Sequence, residues 1–469
     1  MSAHIATLVY IAAILGLFFL DREPSAQPSK ALWIPVWWLL INGSRPISQW
    51  LQTGPTVAPI DQYVEGSPLD ALFFGILMTA GLTVLIFRRR LGMFRLANLP
   101  LFMFLIYCAM STLWSDYPFV AFKRWTKGVG DVIMVMIVLN DSDPTTAIKR
   151  FLSRAAFVLV PLSILLIKYY PDLGRSYNPW TWVPMYGGVT TFKNLLGMTC
   201  LVCGLGSFWS FITAYKDRGA PHRIRHLFAH AVLLVMVTWL FWIADSVTSL
   251  CCFVLAAGVI ALTSQSWVAR KEWVVHVSVA AVVVLSLSAL FLDPGGSVVQ
   301  SLGRDPTFTG RTAIWSAAVA VSENPLLGSG FESFWTMDRM QKVFDLSGQH
   351  IQEAHNGYLE IYLNLGWIGL GFLAILIVIG YHNVITVFRK DSRAGGIRLG
   401  CFVAGVIYSF TEAGFRIMCP VWITFLLATT VVRNAPVLEE LTSRHDMGFS
   451  PPDLQFADEP RAKLNQGNV

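Results

Sequence analysis

The residues best suited to chemistry gather between Gly303 and Leu370, in the stretch GRDPTFTGRTAIWSAAVAVSENPLLGSGFESFWTMDRMQKVFDLSGQHIQEAHNGYLEIYLNLGWIGL. It holds Arg304, Arg311, Arg339, Lys342, His350 and His355 among Trp, Phe and Gly. His355 and Asn356 stand where this polar stretch gives way to an apolar run. Histidine titrates nearest to working pH, so His355 has the chemistry of a general base. Glu353 and Glu360 are reserve candidates for base or orienter. Arginine keeps its charge and grips phosphate through a planar fork, whereas lysine offers a point charge. Arg311 and the cations near it therefore suit an anionic headgroup, above all a diphosphate. Plainer readings stand beside these. His355 would equally cap a helix or touch a headgroup, and the cations would snorkel to ordinary lipid phosphates. His350, Glu353 and His355 also admit a metal reading, but their spacing does not put all three on one helical face and no fourth ligand is evident.

The elements that must position these residues are helices. Ile314, Trp315, Ala318 and Val321 recur at the helical period after Thr309-Gly310-Arg311, and Asn324-Pro325 stops the run. This helix is too short and polar to span a bilayer and reads as lying in the interface, with Arg311 in its first turn. A second amphipathic stretch, Phe331 to Phe344, carries Arg339 and Lys342, and Gly328, Gly330 and Gly348 mark turns.

Around this segment the chain is 54% hydrophobic and only 14% charged over 469 residues. A span needs roughly 20 apolar residues. The apolar runs predict an all-α polytopic membrane protein of 12–13 transmembrane helices with one large outer loop carrying short amphipathic helices. Residues 1–292 hold the first ten spans, 293–356 the loop with the candidate site, and 357–433 the last spans. The polar tail 434–469 reads as cytoplasmic and poorly ordered. Cys200 and Cys203 have CxxC spacing without a second pair, so all seven cysteines read as packing residues, with neither disulfide nor zinc. The charge of +6 suggests no nucleic-acid partner. No P-loop, dinucleotide fingerprint or HExxH appears, so neither ATP nor a metal cofactor is expected.

Orientation follows from lysine and arginine counts. The loops holding Arg88–Arg90, Lys149–Arg154, Lys216–Arg225, Arg270–Lys271 and Arg389–Arg398 alternate with the spans and read as cytoplasmic. The side of residue 1 depends on whether the short Trp-rich second run crosses. Cations on the opposite face are few, and that makes them informative: Lys123, Arg124, Lys127, Arg175, Lys193, Arg304, Arg311, Arg339, Lys342 and Arg416, with few acids expected nearby. Ionisable groups near membrane depth usually face a cavity or a partner.

The order TGR-x-x-IW, NPLLGSGFxxFW and HNGYLEIYLNLGWIGL resembles the O-antigen ligase and Wzy-type polysaccharide polymerase superfamily. SDYPFVAFKRWTKGVGDV (Ser115 to Val132) with FKNLLG (Phe192 to Gly197) is most similar to ExoQ-type exopolysaccharide polymerases. The resemblance runs from about Ser115 to Gly371 and is absent from the tail. It implies a bacterial inner-membrane glycosyltransferase of the GT-C-like class, working at the periplasmic face without a cofactor. Such an enzyme moves a sugar chain from undecaprenyl diphosphate to an acceptor hydroxyl. It implies Arg311 as a diphosphate ligand and His355 as the group that activates the acceptor, with Arg175 a looser match. Lys193, Lys127, Arg124 and Arg339 would complete the positive lining, and Glu353 would support His355. Phe192 stands where the ExoQ-like pattern leads one to expect histidine, so any chemical role of that histidine is in doubt here. The implied partners are undecaprenyl-diphosphate-linked glycans, the bilayer, and a chain-length regulator and flippase of the same pathway. A ligase passing finished polymer to lipid A core or protein uses the same site. A transporter of the same lipids is the alternative of another class, although no pair of interrupted helices in symmetric halves marks it.

Overall fold

Long apolar runs closed by local stop signals fix the elements. The computed structural model describes residues 2–23, 28–52, 66–88, 96–177, 182–291 and 311–432. Arg89, Arg90, Arg95, Arg304, residues 293–310 and the tail 434–469 lie outside the described residues. Among the described residues the α-helices of ten or more residues are, in chain order, α1 (Ala3–Leu20), α2 (Trp33–Asn42), α3 (Pro68–Phe87), α4 (Leu99–Ser111), α5 (Pro118–Leu139), α6 (Pro144–Tyr169), α7 (Lys193–Lys216), α8 (Arg223–Ala244), α9 (Val247–Thr263) and α10 (Glu272–Phe291). They continue with α11 (Arg311–Val321), α12 (Met337–Ser347), α13 (Gly357–Lys390), α14 (Ser392–Tyr408) and α15 (Pro420–Thr429). Proline in the first turn starts α3, α5, α6 and α15, where its missing N–H would have no partner anyway. Asp143, Asn356 and Asp391 cap α6, α13 and α14 through their side chains.

The protein is an all-α polytopic membrane protein. Among the described residues, seven segments are long and apolar enough to cross a bilayer: α1, α3, α6, α7, α8, α13 and the stretch from Leu96 to Trp114 that contains α4. Each remaining apolar run is also helical. Among the described residues the strands are limited to a small antiparallel hairpin, β1 (Arg175–Tyr177) with β2 (Pro184–Tyr186), which the sequence reading did not anticipate.

The contacts of α2 decide the question left by its short run. Before it, the Ser29 amide donates at 3.2 Å to Asp141 of the α5–α6 turn, which also pairs with Arg88 at 3.5 Å. After it, the Arg45 guanidinium donates to the carbonyls of Leu173, Gly188 and Thr190 at the opposite end. The run therefore crosses the bundle. Thr7 meets the Tyr170 hydroxyl at 2.8 Å, so the start of the chain lies at the end opposite the basic loops.

The outer segment is fastened to α13 by backbone bonds that a kink releases. Gly366 has φ 65° and ψ −166° inside α13, and a Cβ there would lie 2.1 Å from the Leu326 carbonyl oxygen. Only glycine fits such a position. The Trp367 amide, freed from the helix ladder, donates to Pro325 at 2.9 Å. Ser329 and Gly330 donate to the carbonyls of Leu363 and Asn364, and the Asn364 side chain accepts from Ser333 and Phe334. Those contacts keep residues 331–336 out of a helix, so the amphipathic stretch from Phe331 to Phe344 is helical only from Met337. α11 runs as anticipated, and its Ala317 and Ala318 pack with Phe334, Val343, Ala354 and Leu363 in a second small core.

Candidate functional site

His355 sits between residues held by hydrogen bonds on both sides. The Ala354 amide donates to Glu360, and its carbonyl accepts from Trp315 Nε1 at 2.8 Å. Asn356 caps α13 by accepting from the amides of Tyr358 and Leu359 at 3.0 and 3.1 Å. The Gly357 amide donates to the carbonyls of Ser409 and Glu412, at 2.8 and 3.0 Å. A Cβ on Gly357 would crowd Ser409 and the Phe415 amide at 3.0 and 3.1 Å, which is why glycine follows the cap. His355 itself has φ +50°, an uncommon conformation for a non-glycine residue. Strain of this kind persists where the surroundings over-determine it, and it concentrates at functional sites.

Its imidazole lies between two carboxylates. Nδ1 is 3.1 Å from Glu353 Oε1 and 3.2 Å from Glu412 Oε2. The other oxygen of Glu412 accepts from Arg311 Nη2 at 2.8 Å and lies 3.4 Å from the Asn194 amide group. Arg311 also donates through Nη1 to the Thr411 carbonyl. On the other flank, Glu353 meets Arg416 at 3.4 Å, and Arg416 meets Glu332 at 3.1 Å. Arg124 donates to the Glu332 carbonyl. Positive and negative groups thus alternate along one line: Arg311, Glu412, His355, Glu353, Arg416, Glu332.

The line fixes protonation states. Burial alone would favour neutral imidazole, but the two carboxylates outweigh it and push His355 up to about 9. Burial would raise Glu353, yet its hydrogen bond to His355 and the charges of Arg416 and Arg311 hold it below the usual carboxylate range. Arg416 is raised still further, chiefly by the charge of Glu332. At neutral pH the imidazole is therefore a cation with Nδ1 held, and a general base only in its minor, neutral form.

The structure brings Arg311, Glu353 and His355 together. It places Arg124 beside them through Glu332, and Lys193 one residue before Asn194, with its amine 3.3 Å from Asp245. Lys127 lies one turn further along α5, 5.7 Å from the Phe74 ring. Arg175 and Arg339 have their partners elsewhere. Arg175 donates to the Ile167 carbonyl at 2.8 Å, and Arg339 pairs with Asp116 at 2.5 Å and Glu323 at 3.7 Å. The expectation of cations with few acids nearby is corrected: Asp116, Asp245, Glu323, Glu332, Glu353 and Glu412 pair with them. Charges drawn out of water pair with opposite charges, and sequence distance hides such pairs. The Arg311 guanidinium in particular is buried and engaged with the 411–412 segment, where the sequence suggested an open fork.

Two acids of the line, Glu412 and Glu332, escaped the sequence reading. Glu412 is central to it, and its only signal was an acidic residue in the short polar break SFTEAGF between apolar runs. Arg45, another cation on this face, has its fork filled by three carbonyls. His350 stacks on Phe344 with ring centroids 3.7 Å apart, so it does not join Glu353 and His355 as a ligand. The trio that does converge is Glu353, His355 and Glu412, with ligand atoms within 4.8 Å of one another. A divalent ion there would compete with Arg311 and Arg416 for both carboxylates and with the proton on His355. The donor set suits a proton better than a metal.

Comparison with known proteins agrees with the motifs. A family model described as O-antigen ligase matches residues 231–374. The exopolysaccharide production protein ExoQ of Rhizobium meliloti is 23% identical over 319 residues, covering 66% of this chain and 69% of that protein. A provisionally named polysaccharide ligase of Rickettsia bellii is 23% identical over 208 residues, covering 43% of this chain and 51% of its own length.

Proposed function

We propose that this chain, which resembles the O-antigen ligase and ExoQ-type family, is a polysaccharide polymerase. It would join undecaprenyl-diphosphate-linked repeat units at the periplasmic face of the bacterial inner membrane. The observation that carries the reading is the charge-alternating line centred on His355, set on the face opposite the basic loops, with Arg311, Glu332, Glu353 and His355 within the matched region and Glu412 and Arg416 beyond it. Glycosyl transfer needs what this line supplies. The acceptor hydroxyl attacks the anomeric carbon, a new C–O bond forms, and the bond to the diphosphate oxygen breaks with its electron pair on the leaving group. The hydroxyl proton passes to Nε2 of neutral His355, whose Nδ1 is oriented by Glu353 and Glu412. Cations around the site stabilise the charge that develops on the diphosphate. Arg416 has the side chain most open to solvent in this line, and Lys193, Lys127 and Arg124 extend the positive lining. Arg311 acts by holding Glu412 in place, and its own fork would turn to the diphosphate only by leaving Thr411. The leaving group is good enough for transfer to proceed without ATP.

A ligase of the same family is the second reading, favoured by the matched O-antigen ligase model and by the Rickettsia relative. Deleting the gene separates the two. A polymerase predicts accumulation of single lipid-linked repeats. Accumulation of long lipid-linked polymer would replace that reading with the ligase, and normal surface polysaccharide would remove both.

A further inference from the structure

Asp131 is fully buried in the middle of α5 and has no part in the line just described. Its Oδ1 accepts from Trp38 Nε1 of α2 at 2.8 Å. Its Oδ2 accepts from the Met418 amide, also at 2.8 Å. Met418 closes the 409–419 segment that carries Glu412 and Arg416, and it has φ +58°. Around Asp131, α5 approaches both α2 and this segment closely. A Cβ on Gly130 would lie 2.4 Å from the Trp38 ring, and one on Gly128 would lie 3.1 Å from Ile417. Arg124 lies two helical turns before Asp131, hence on the same face, and holds Glu332, which also has positive φ at +50°. One face of α5 thus grips both loops whose residues flank Glu353 and His355. A hydrocarbon-packed carboxylate accepting two N–H bonds is costly to keep unless it fixes something.

We infer that Asp131 is a positioning residue for the reacting line: by fixing Met418 it holds the 411–417 segment from which Glu412 reaches His355 and Arg416 reaches Glu353. The inference rests on the glycosyl-transfer reading for its effect on rate, but its structural half does not. Two acceptor oxygens face two donors, so an amide cannot replace the carboxylate. In Asp131→Asn the NH2 group must face either Trp38 or Met418. Removing the rival donor with Trp38→Phe lets the asparagine turn its oxygen to Met418, so the second change should repair the first.

The test uses the full-length protein in detergent, with amide exchange across residues 415–421 and elongation of a lipid-linked glycan as separate readouts. Asp131→Asn is expected to speed exchange at Met418 and lower kcat by roughly 10²-fold, the scale of a misplacement of about 1 Å, with KM little changed. Trp38→Phe in that background is expected to recover a large part of both. Unchanged exchange in Asp131→Asn overturns the inference whatever the reaction is. Faster exchange with wild-type turnover overturns the positioning role and leaves the proposed function standing. A double variant no better than the single one excludes the Met418 bond as the route. Wild-type protein that transfers no glycan removes the proposed function and the rate effect with it.

Discussion

Glu412→Ala is expected to cost the protein about 3–5 kcal/mol, because it leaves the buried Arg311 guanidinium without its carboxylate. Glu412→Gln keeps the shape and removes only the charge. It is the more telling variant, because His355 then has one carboxylate at Nδ1 in place of two. Its apparent pKa should fall from about 9 toward the ordinary histidine value near ~6.5. The pH dependence of kcat/KM reports the free enzyme's groups, so its limb should move to lower pH by the same amount. Thermal unfolding of the alanine variant and pH–rate profiles of the glutamine variant check the two halves. A glutamine variant with the wild-type profile would mean that Glu412 does not set the charge on His355.

His355→Ala should lose roughly 10²–10⁴-fold in turnover, the usual contribution of a positioned acid–base group. Donor binding should survive, since Arg416, Arg124 and Lys193 remain. In the wild type only about 1 in 100 imidazoles is neutral two pH units below the pKa. As a base His355 therefore makes activity rise with pH and level off above about 9. Had it acted as a cation against the diphosphate, activity would fall as pH rises through that value. The two roles thus predict opposite slopes in one experiment. Stability linked to the cluster has a fixed sign. A pKa raised by folding gives stabilisation that is complete below the unfolded value near ~6.5 and is lost as pH rises through about 9.

Much of this architecture was legible in the residues. Apolar runs gave the helices because hydrocarbon leaves the backbone no partner but itself. The same logic made α11 visible from Arg311 to Val321, with its stop at Asn324-Pro325. His355 and Arg311 stood out as polar residues at a boundary, and the structure brings both to one place. Glu412 was missed because its meaning is three-dimensional: 57 residues separate it from His355 and 101 from Arg311. Asp131 was missed for a related reason. A carboxylate within an apolar helix signals a partner without saying that the partner is a backbone amide far along the chain. The amphipathic stretch 331–344 is helical only from Met337, because Asn364 takes the amides of Ser333 and Phe334, a competition that local periodicity does not record.

The most direct measurement is glycan transfer by purified protein supplied with an oligosaccharide on polyprenyl diphosphate, labelled in the sugar. A polymerase yields longer lipid-linked products together with free polyprenyl diphosphate, one released for each bond formed. His355→Ala is expected to bind the donor and form neither. Label that crosses a proteoliposome membrane without new bonds, or equal product from the alanine variant, would contradict this reading.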